Sequence, residues 1–238
     1  MKINICMEAP VDIIVNEKKL ATFMCTPKDL EDLAIGHLYS RDMLKNIDDF
    51  ISATSCESNR RLLILTKSQE TKPLFNISNV ILSGCGNGSI FNEDILEKES
   101  LNIKYSKKID VIKEAFLVMQ KQSVMYNTMG GMHCSAIFDD KDNIFVREDI
   151  GRHNAVDKVI GAALKERVNL ENSIIMTSGR ISLDMVLKAA GARIPIIVSL
   201  SIASDLAIEV ATKLGICLIG RVKYPNPIVY NDFLGGII

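Results

Sequence analysis

Between residues 144 and 220, short apolar runs alternate with segments of helical period, and no other feature limits the possible folds as much. Strands are expected at 144–147, 173–177, 194–199 and 216–220, with helices at 152–165, 182–190 and 204–214. Alternation of this kind makes a sheet covered by helices, an α/β arrangement in which the loops at the strand ends form the site. The upstream half reads differently. Residues 3–25 give two strands around a polar turn at 16–19. Thr26-Pro-Lys-Asp-Leu-Glu-Asp32 supplies an N-cap, a proline and first-turn acids for a helix to about Leu44. Further strands are expected at 61–66 and 80–83, and a linker at 92–106. A helix over 109–125 follows, then a glycine pair entering a strand by Phe138. The chain divides into a smaller N-terminal α+β part, 1–105, and a larger α/β part, 106–238.

The 28 basic and 29 acidic residues leave a net charge of −1, so no global field draws in nucleic acid or an anionic membrane. Any anion site must be local. Apolar runs such as Ile194-Pro-Ile-Ile-Val-Ser-Leu200 are far shorter than the roughly 20 residues a spanning helix needs. The N-terminus lacks the apolar core of a signal peptide, and the expected location is cytoplasmic. Six cysteines include no C-x-x-C pair. Cys25 and Cys217 lie in apolar surroundings and read as buried hydrophobes. Cys85 instead sits in Ser83-Gly-Cys-Gly-Asn-Gly-Ser89, where converging backbone N–H groups favour a thiolate and make it the candidate nucleophile. A tight turn with an incidental cysteine is the alternative.

The most polar junction is Phe145-Val-Arg-Glu-Asp-Ile-Gly-Arg-His-Asn-Ala-Val-Asp-Lys-Val-Ile-Gly161, which leads from a strand into a helix. Arg152 and His153 fall in the first helical turn, where unpaired N–H groups and the helix dipole favour an anion. A structural role is equally open: Asp149 as a cap, and His153 with Asp157 as a surface pair four residues apart. Other strand-end loops add Gly130, Gly131 and His133, then Gly179 and Arg180, then Arg221 and Lys223. Together these suit a ligand carrying phosphates. Neither a dinucleotide-binding glycine motif nor a P-loop is present. His37, on the apolar face of the first helix, reads as a packed or surface residue and not as a ligand.

Arg147-Glu-Asp-Ile-Gly-Arg-His-Asn-Ala-Val-Asp-Lys158 resembles the signature of the FdhD/NarQ family, the formate dehydrogenase accessory sulfurtransferases. Cys25-Thr-Pro-Lys-Asp-Leu-Glu-Asp-Leu-Ala-Ile-Gly36, Gly130-Gly-Met-His133 and Ser178-Gly-Arg180 are similar to three further family motifs. The resemblance implies a sulfur carrier that takes persulfide sulfur from a cysteine desulfurase. It would pass that sulfur to the bis-molybdopterin guanine dinucleotide form of the molybdenum cofactor, bound as cargo, which then goes to formate dehydrogenase. It also implies a homodimer and a cytidine-deaminase-like α/β/α domain. The nucleotide-binding loop would map to Arg221, Val222, Lys223, Tyr224, Pro225 and Asn226. Three departures stand out: Cys85-Gly-Asn-Gly88 lacks the second cysteine common in the family loop, Ser201-Ile-Ala-Ser204 replaces Ser-x-Pro-Thr, and Arg221-Val-Lys223 replaces Phe-x-Arg. A relay through two loop thiols is thereby excluded, leaving Cys85 as the carrier and Cys134 as a distant second candidate. A zinc nucleobase deaminase needs His-x-Glu and Pro-Cys-x-x-Cys, and the chain has neither, so no metal ligands are assigned. The main rival is a chaperone that binds the cofactor without covalent sulfur chemistry.

Overall fold

In β1 (Ala9–Val15), Val11, Ile13 and Val15 are buried while the residues between them are not, the period-two pattern of a strand with one face in the core. The chain reverses at Asn16 and Glu17, both at positive φ (45° and 68°), into β2 (Lys18–Cys25). The structure, a computed structural model, describes residues 5–56, 60–67 and 99–233. The Cys85 loop and the strand expected at 80–83 lie outside the described residues.

α1 spans Leu30–Ser40 and starts later than the Thr26-Pro27 signal predicts. Thr26 is engaged elsewhere: its N–H donates to Asp149 Oδ2 (3.0 Å), its hydroxyl accepts from Ile150 N (3.2 Å), and its carbonyl accepts from Lys158 Nζ (2.9 Å). β3 (Phe50–Ser55) and β4 (Arg61–Thr66) complete a four-stranded sheet of order β2-β1-β4-β3, in which β1 and β4 run parallel.

α2 (Ile109–Gln122) and α3 (Val124–Met129) divide the helix expected over 109–125. The break falls at Ser123, whose hydroxyl turns back to Met119 O (2.7 Å). β5 (His133–Phe138) and β6 (Ile144–Asp149) form an antiparallel pair. Then α4 (Arg152–Lys165), β7 (Ile174–Thr177), α5 (Leu183–Gly191), β8 (Ile196–Ser199), α6 (Asp205–Leu214) and β9 (Cys217–Gly220) alternate as predicted, and β10 (Ile228–Asn231) adds an edge. The sheet order is β10-β9-β8-β7-β5-β6. β7, β8 and β9 are parallel, whereas β5 runs antiparallel to both of its neighbours.

Both faces of this sheet are covered, which is why its parallel strands are apolar up to their last residues, Thr177 and Ser199 among them. Ile174, Met176, Ile196, Val198 and Ile219 pack with Ile112, Phe116 and Met119 of α2. Ile137, Ile175, Ile197 and Leu218 face the other way, into one apolar cluster with α4, α5, α6, α1 and the inner face of the small sheet. The protein is thus a mixed α/β fold, and the N-terminal elements share a core with the larger sheet.

The seam between the two parts is backbone against backbone. A Cβ on Gly36 of α1 would lie 1.8 Å from Asp157 O, and one on Gly161 of α4 would lie 2.0 Å from Asp32 O. No larger residue fits either position unless the helices separate. Leu33, Ile35 and Leu38 beside this seam are at most 1% exposed, and burial contributes about 1.5–3 kcal/mol for each.

Candidate functional site

Strand direction decides where the polar loops go. β7, β8 and β9 are parallel, so Ser178, Leu200 and Arg221 leave the sheet at one edge. His133 registers with Asp149, and Ser135 with Thr177, so the start of β5 and the end of β6 reach the same edge. The loops expected to carry the site therefore all emerge together: 130–133, 149–153, 178–182, 199–204 and 220–226.

Several are tied to one another. Leu200 N–H donates to Thr177 O (3.1 Å), Ile181 N–H to Ile202 O (3.0 Å), Arg221 N–H to Ser201 O (2.8 Å) and Val222 N–H to Ser199 O (3.1 Å). Ser199 Oγ donates to Gly179 O at 2.5 Å. Gly179 is buried under Arg152, and a Cβ there would lie 2.9 Å from the Arg152 Cβ. Glycine at 179 thus lets the loop after β7 pass directly against the first turn of α4. Ser178 Oγ accepts from Cys134 N–H (3.1 Å) and lies 3.3 Å from His133 Nδ1.

Arg180, Arg221 and Lys223 are exposed. The Arg221 guanidinium stacks 5.6 Å from the Tyr224 ring centre, and Tyr224 N–H donates to Arg221 O (2.9 Å), which shapes the 221–224 turn. Pro225 and Asn226 continue this exposed stretch. Val222 differs from its neighbours: at 0% exposure it belongs to the core, so its side chain anchors the loop and presents nothing to a ligand. Gly130 takes the left-handed conformation that ends α3 (φ 71°), while a Cβ on Gly131 would press on Cys6 Sγ at 3.2 Å. The nearness of Cys6 left no trace in the sequence.

The surroundings of both edge histidines disfavour a second proton. Burial, with the Arg152 cation next in effect, holds His133 below the ordinary imidazole range, although Asp149 opposes this. Burial pushes His153 down to about 4, against the pull of Asp184. His153 does not form the surface pair with Asp157. Its Nε2 lies 3.3 Å from Ser182 Oγ and 3.7 Å from Asp184 Oδ2. Cys134 is fully buried and its thiol is pushed up by that burial, so it offers no accessible thiolate.

Much of the signature stretch serves architecture. Arg147 Nε donates to Asp32 Oδ2 (2.7 Å), Glu148 accepts from Tyr126 N–H (2.6 Å), and Asp149 pairs with Lys158 (2.6 Å). Asp157 takes Lys188 Nζ on both oxygens at 2.7 Å and faces His37 Nδ1 at 3.0 Å. His37 is packed, as its place on α1 implies. Arg152 and His153 are the signature side chains left at the edge.

The profile of the FdhD/NarQ family matches residues 6–233. The chain belongs to that family. A relative from Sulfolobus acidocaldarius, named "Sulfur carrier protein FdhD", is 34% identical over 229 residues, covering 95% of this chain and 88% of its own. One of the same name from Halalkalibacterium halodurans is 31% identical, covering 95% and 86%. Among solved structures, a protein from Desulfotalea psychrophila titled as a formate dehydrogenase accessory protein superposes with a TM-score of 0.79 at 26% identity, over 98% of this chain and 90% of that one. Among the described residues, no helix is long and apolar enough to cross a membrane, and no group of three or more His, Cys, Asp or Glu side chains is arranged to hold a metal ion.

Proposed function

We propose that this chain is a cytoplasmic sulfur carrier for formate dehydrogenase maturation. Cys85 is the carrier thiol, and bis-molybdopterin guanine dinucleotide is the acceptor held at the loop edge of the large sheet. The observation that carries this reading is the gathering of Arg180, Arg221 and Lys223, on loops, and of Arg152, in the first turn of α4, at one edge of one sheet, in a family whose relatives are named sulfur carriers. Guanidinium forks suit phosphate geometry, and a nucleotide-tailed cofactor brings several phosphates.

The chemistry balances without an added oxidant. The Cys85 thiolate attacks the outer sulfur of a persulfide on the donor, a cysteine desulfurase. A new S–S bond forms, the donor's S–S bond breaks, and the donor cysteine leaves as a thiolate. Cys85 then holds the persulfide, and as an electron pair of the acceptor bonds the outer sulfur, the S–S bond breaks and Cys85 leaves as a thiolate. The test is intact-protein mass after incubation with a desulfurase and cysteine. A gain of one sulfur atom that vanishes in Cys85→Ala supports the carrier role. Unchanged labelling in Cys85→Ala removes Cys85 as the carrier and moves the sulfur to another cysteine, and a native protein that takes up no sulfur leaves cofactor binding without covalent transfer.

A further inference from the structure

Behind the edge, the buried charged side chains form a connected set. Asp184 stands 3.7 Å from His153 Nε2, 3.5 Å from Arg41 Nη2 and 3.9 Å from Lys188 Nζ. Lys188 binds Asp157, which faces His37. The side chains of His153, Asp184 and Lys188 are 16%, 8% and 3% exposed. Two carboxylates and two cations balance one another, so neither imidazole is needed as a charge.

We propose that Asp184 is a positioning residue that fixes the proton of the His153 imidazole on Nε2, so that this ring brings the site a hydrogen-bond acceptor at Nδ1. The inference rests on the cofactor-binding reading above and adds a division of labour to it. The arginines meet phosphate, while His153 meets an N–H or O–H of the uncharged part of the nucleotide.

The argument for the tautomer is one of donors and acceptors. A carboxylate only accepts, so a bare Nε2 lone pair pointed at Asp184 would repel it, whereas an Nε2–H is attracted. Ser182 Oγ, 3.3 Å away, both donates and accepts and so does not choose between tautomers. Asp184 decides. The groups facing His153 are Ser182 at the N-cap of α5, Asp184 and Lys188 of α5, and Arg152 and Asp157 of its own helix, with Arg41 of α1 acting through Asp184. Burial and the cations among these disfavour a second proton, in line with an imidazole pushed down to about 4.

With only three histidines in the chain, nitrogen-15 NMR of the imidazoles resolves His153 by comparison with His37→Gln and His133→Gln variants. In the native protein at pH 7, His153 should be a single neutral species with Nε2–H. Ser182→Ala should keep that species, while Asp184→Asn, whose amide both donates and accepts, should bring up the Nδ1–H form. For GDP binding at pH 7.5, His153→Ala should weaken affinity about tenfold, the loss of one hydrogen bond. Asp184→Asn should weaken it comparably, and the double variant no further. A native His153 that is protonated or Nδ1–H at pH 7 overturns the proposal without recourse to any variant. Unchanged GDP affinity in His153→Ala, or additive losses in the double variant, overturns its functional half. Neither result depends on Cys85, so failure of sulfur transfer and failure of this inference are separable.

Discussion

Lys158 Nζ lies 2.6 Å from Asp149 Oδ2, and solvent reaches neither side chain. Lys158 also donates to Thr26 O (2.9 Å) and Glu148 O (3.4 Å). Asp149 accepts four N–H bonds in all: Lys158 and Thr26 on Oδ2, Gly151 and Asn154 on Oδ1. The pair thus pins the segment before α1 to the junction from which Arg152 and His153 project.

Removing one partner of so buried a pair leaves the other charged and desolvated, at a cost of about 3–5 kcal/mol. Lys158→Met and Asp149→Asn should each lose that much in urea unfolding. The double variant should lose clearly less than the sum, because it no longer strands a charge. Strictly additive losses would mean the two side chains are not coupled.

This pair shows why the signature left a site and a structural role equally open when read as sequence. Asp149 and Lys158 are close in sequence, but the groups they serve on the α1 segment lie 123 and 132 residues away, beyond any periodicity. His153 and Asp157 have the spacing of a helical pair, yet Asp157 is taken by Lys188 and His37 and the histidine turns to Asp184. What could be read was set by local pattern. The strands β7, β8 and β9 are apolar because both faces are covered, and the helices between them carry their own period. β3, Phe-Ile-Ser-Ala-Thr-Ser, is mostly exposed and gave no such signal, nor did the half-buried β10. Val222 sits among cations in sequence, and only the fold turns it inward. The edge was legible because loop residues at strand ends follow from topology; their charge states were not, because burial sets them.

The two buried histidines make stability depend on pH in one direction. Burial first, then Arg41, pushes His37 down to about 4, although Asp157 pulls the other way, and His153 is pushed down to about 4 as well. Burial alone would raise Asp157, but Lys188 and His37 hold its carboxyl below the usual range. In the unfolded chain an imidazole binds its proton near pH 6.5. Between about pH 6.5 and 4 the unfolded state therefore binds more protons than the folded one, and stability falls as pH falls. At 1.36 kcal/mol per pKa unit, each histidine accounts for up to roughly 3 kcal/mol. Urea unfolding should give a plateau above pH 7 and a steady loss from pH 6.5 to 4.5. His153→Gln should be less steep over that window, because glutamine takes up no proton. A slope unaltered by the substitution would place the titration elsewhere.

The exposed cations at the edge should affect binding and leave folding alone. Arg180 and Arg221 are both exposed, so replacing either with alanine should change unfolding free energy by no more than about 0.5 kcal/mol. A hydrogen bond to a charged partner contributes about 1.5–3 kcal/mol, which corresponds to a tenfold to hundredfold loss of GDP affinity in each variant. Since the groups stand in water, raising the salt concentration should weaken native binding, and less so in the variants, which have one fewer charge to screen. Lys223→Ala should follow the same pattern with a smaller loss, because an ammonium offers a point charge where a guanidinium offers a fork. Calorimetric titration of GDP at two salt concentrations measures all of this. Native affinity for GDP in both arginine variants, at either salt, would show that the phosphates do not bind at this edge.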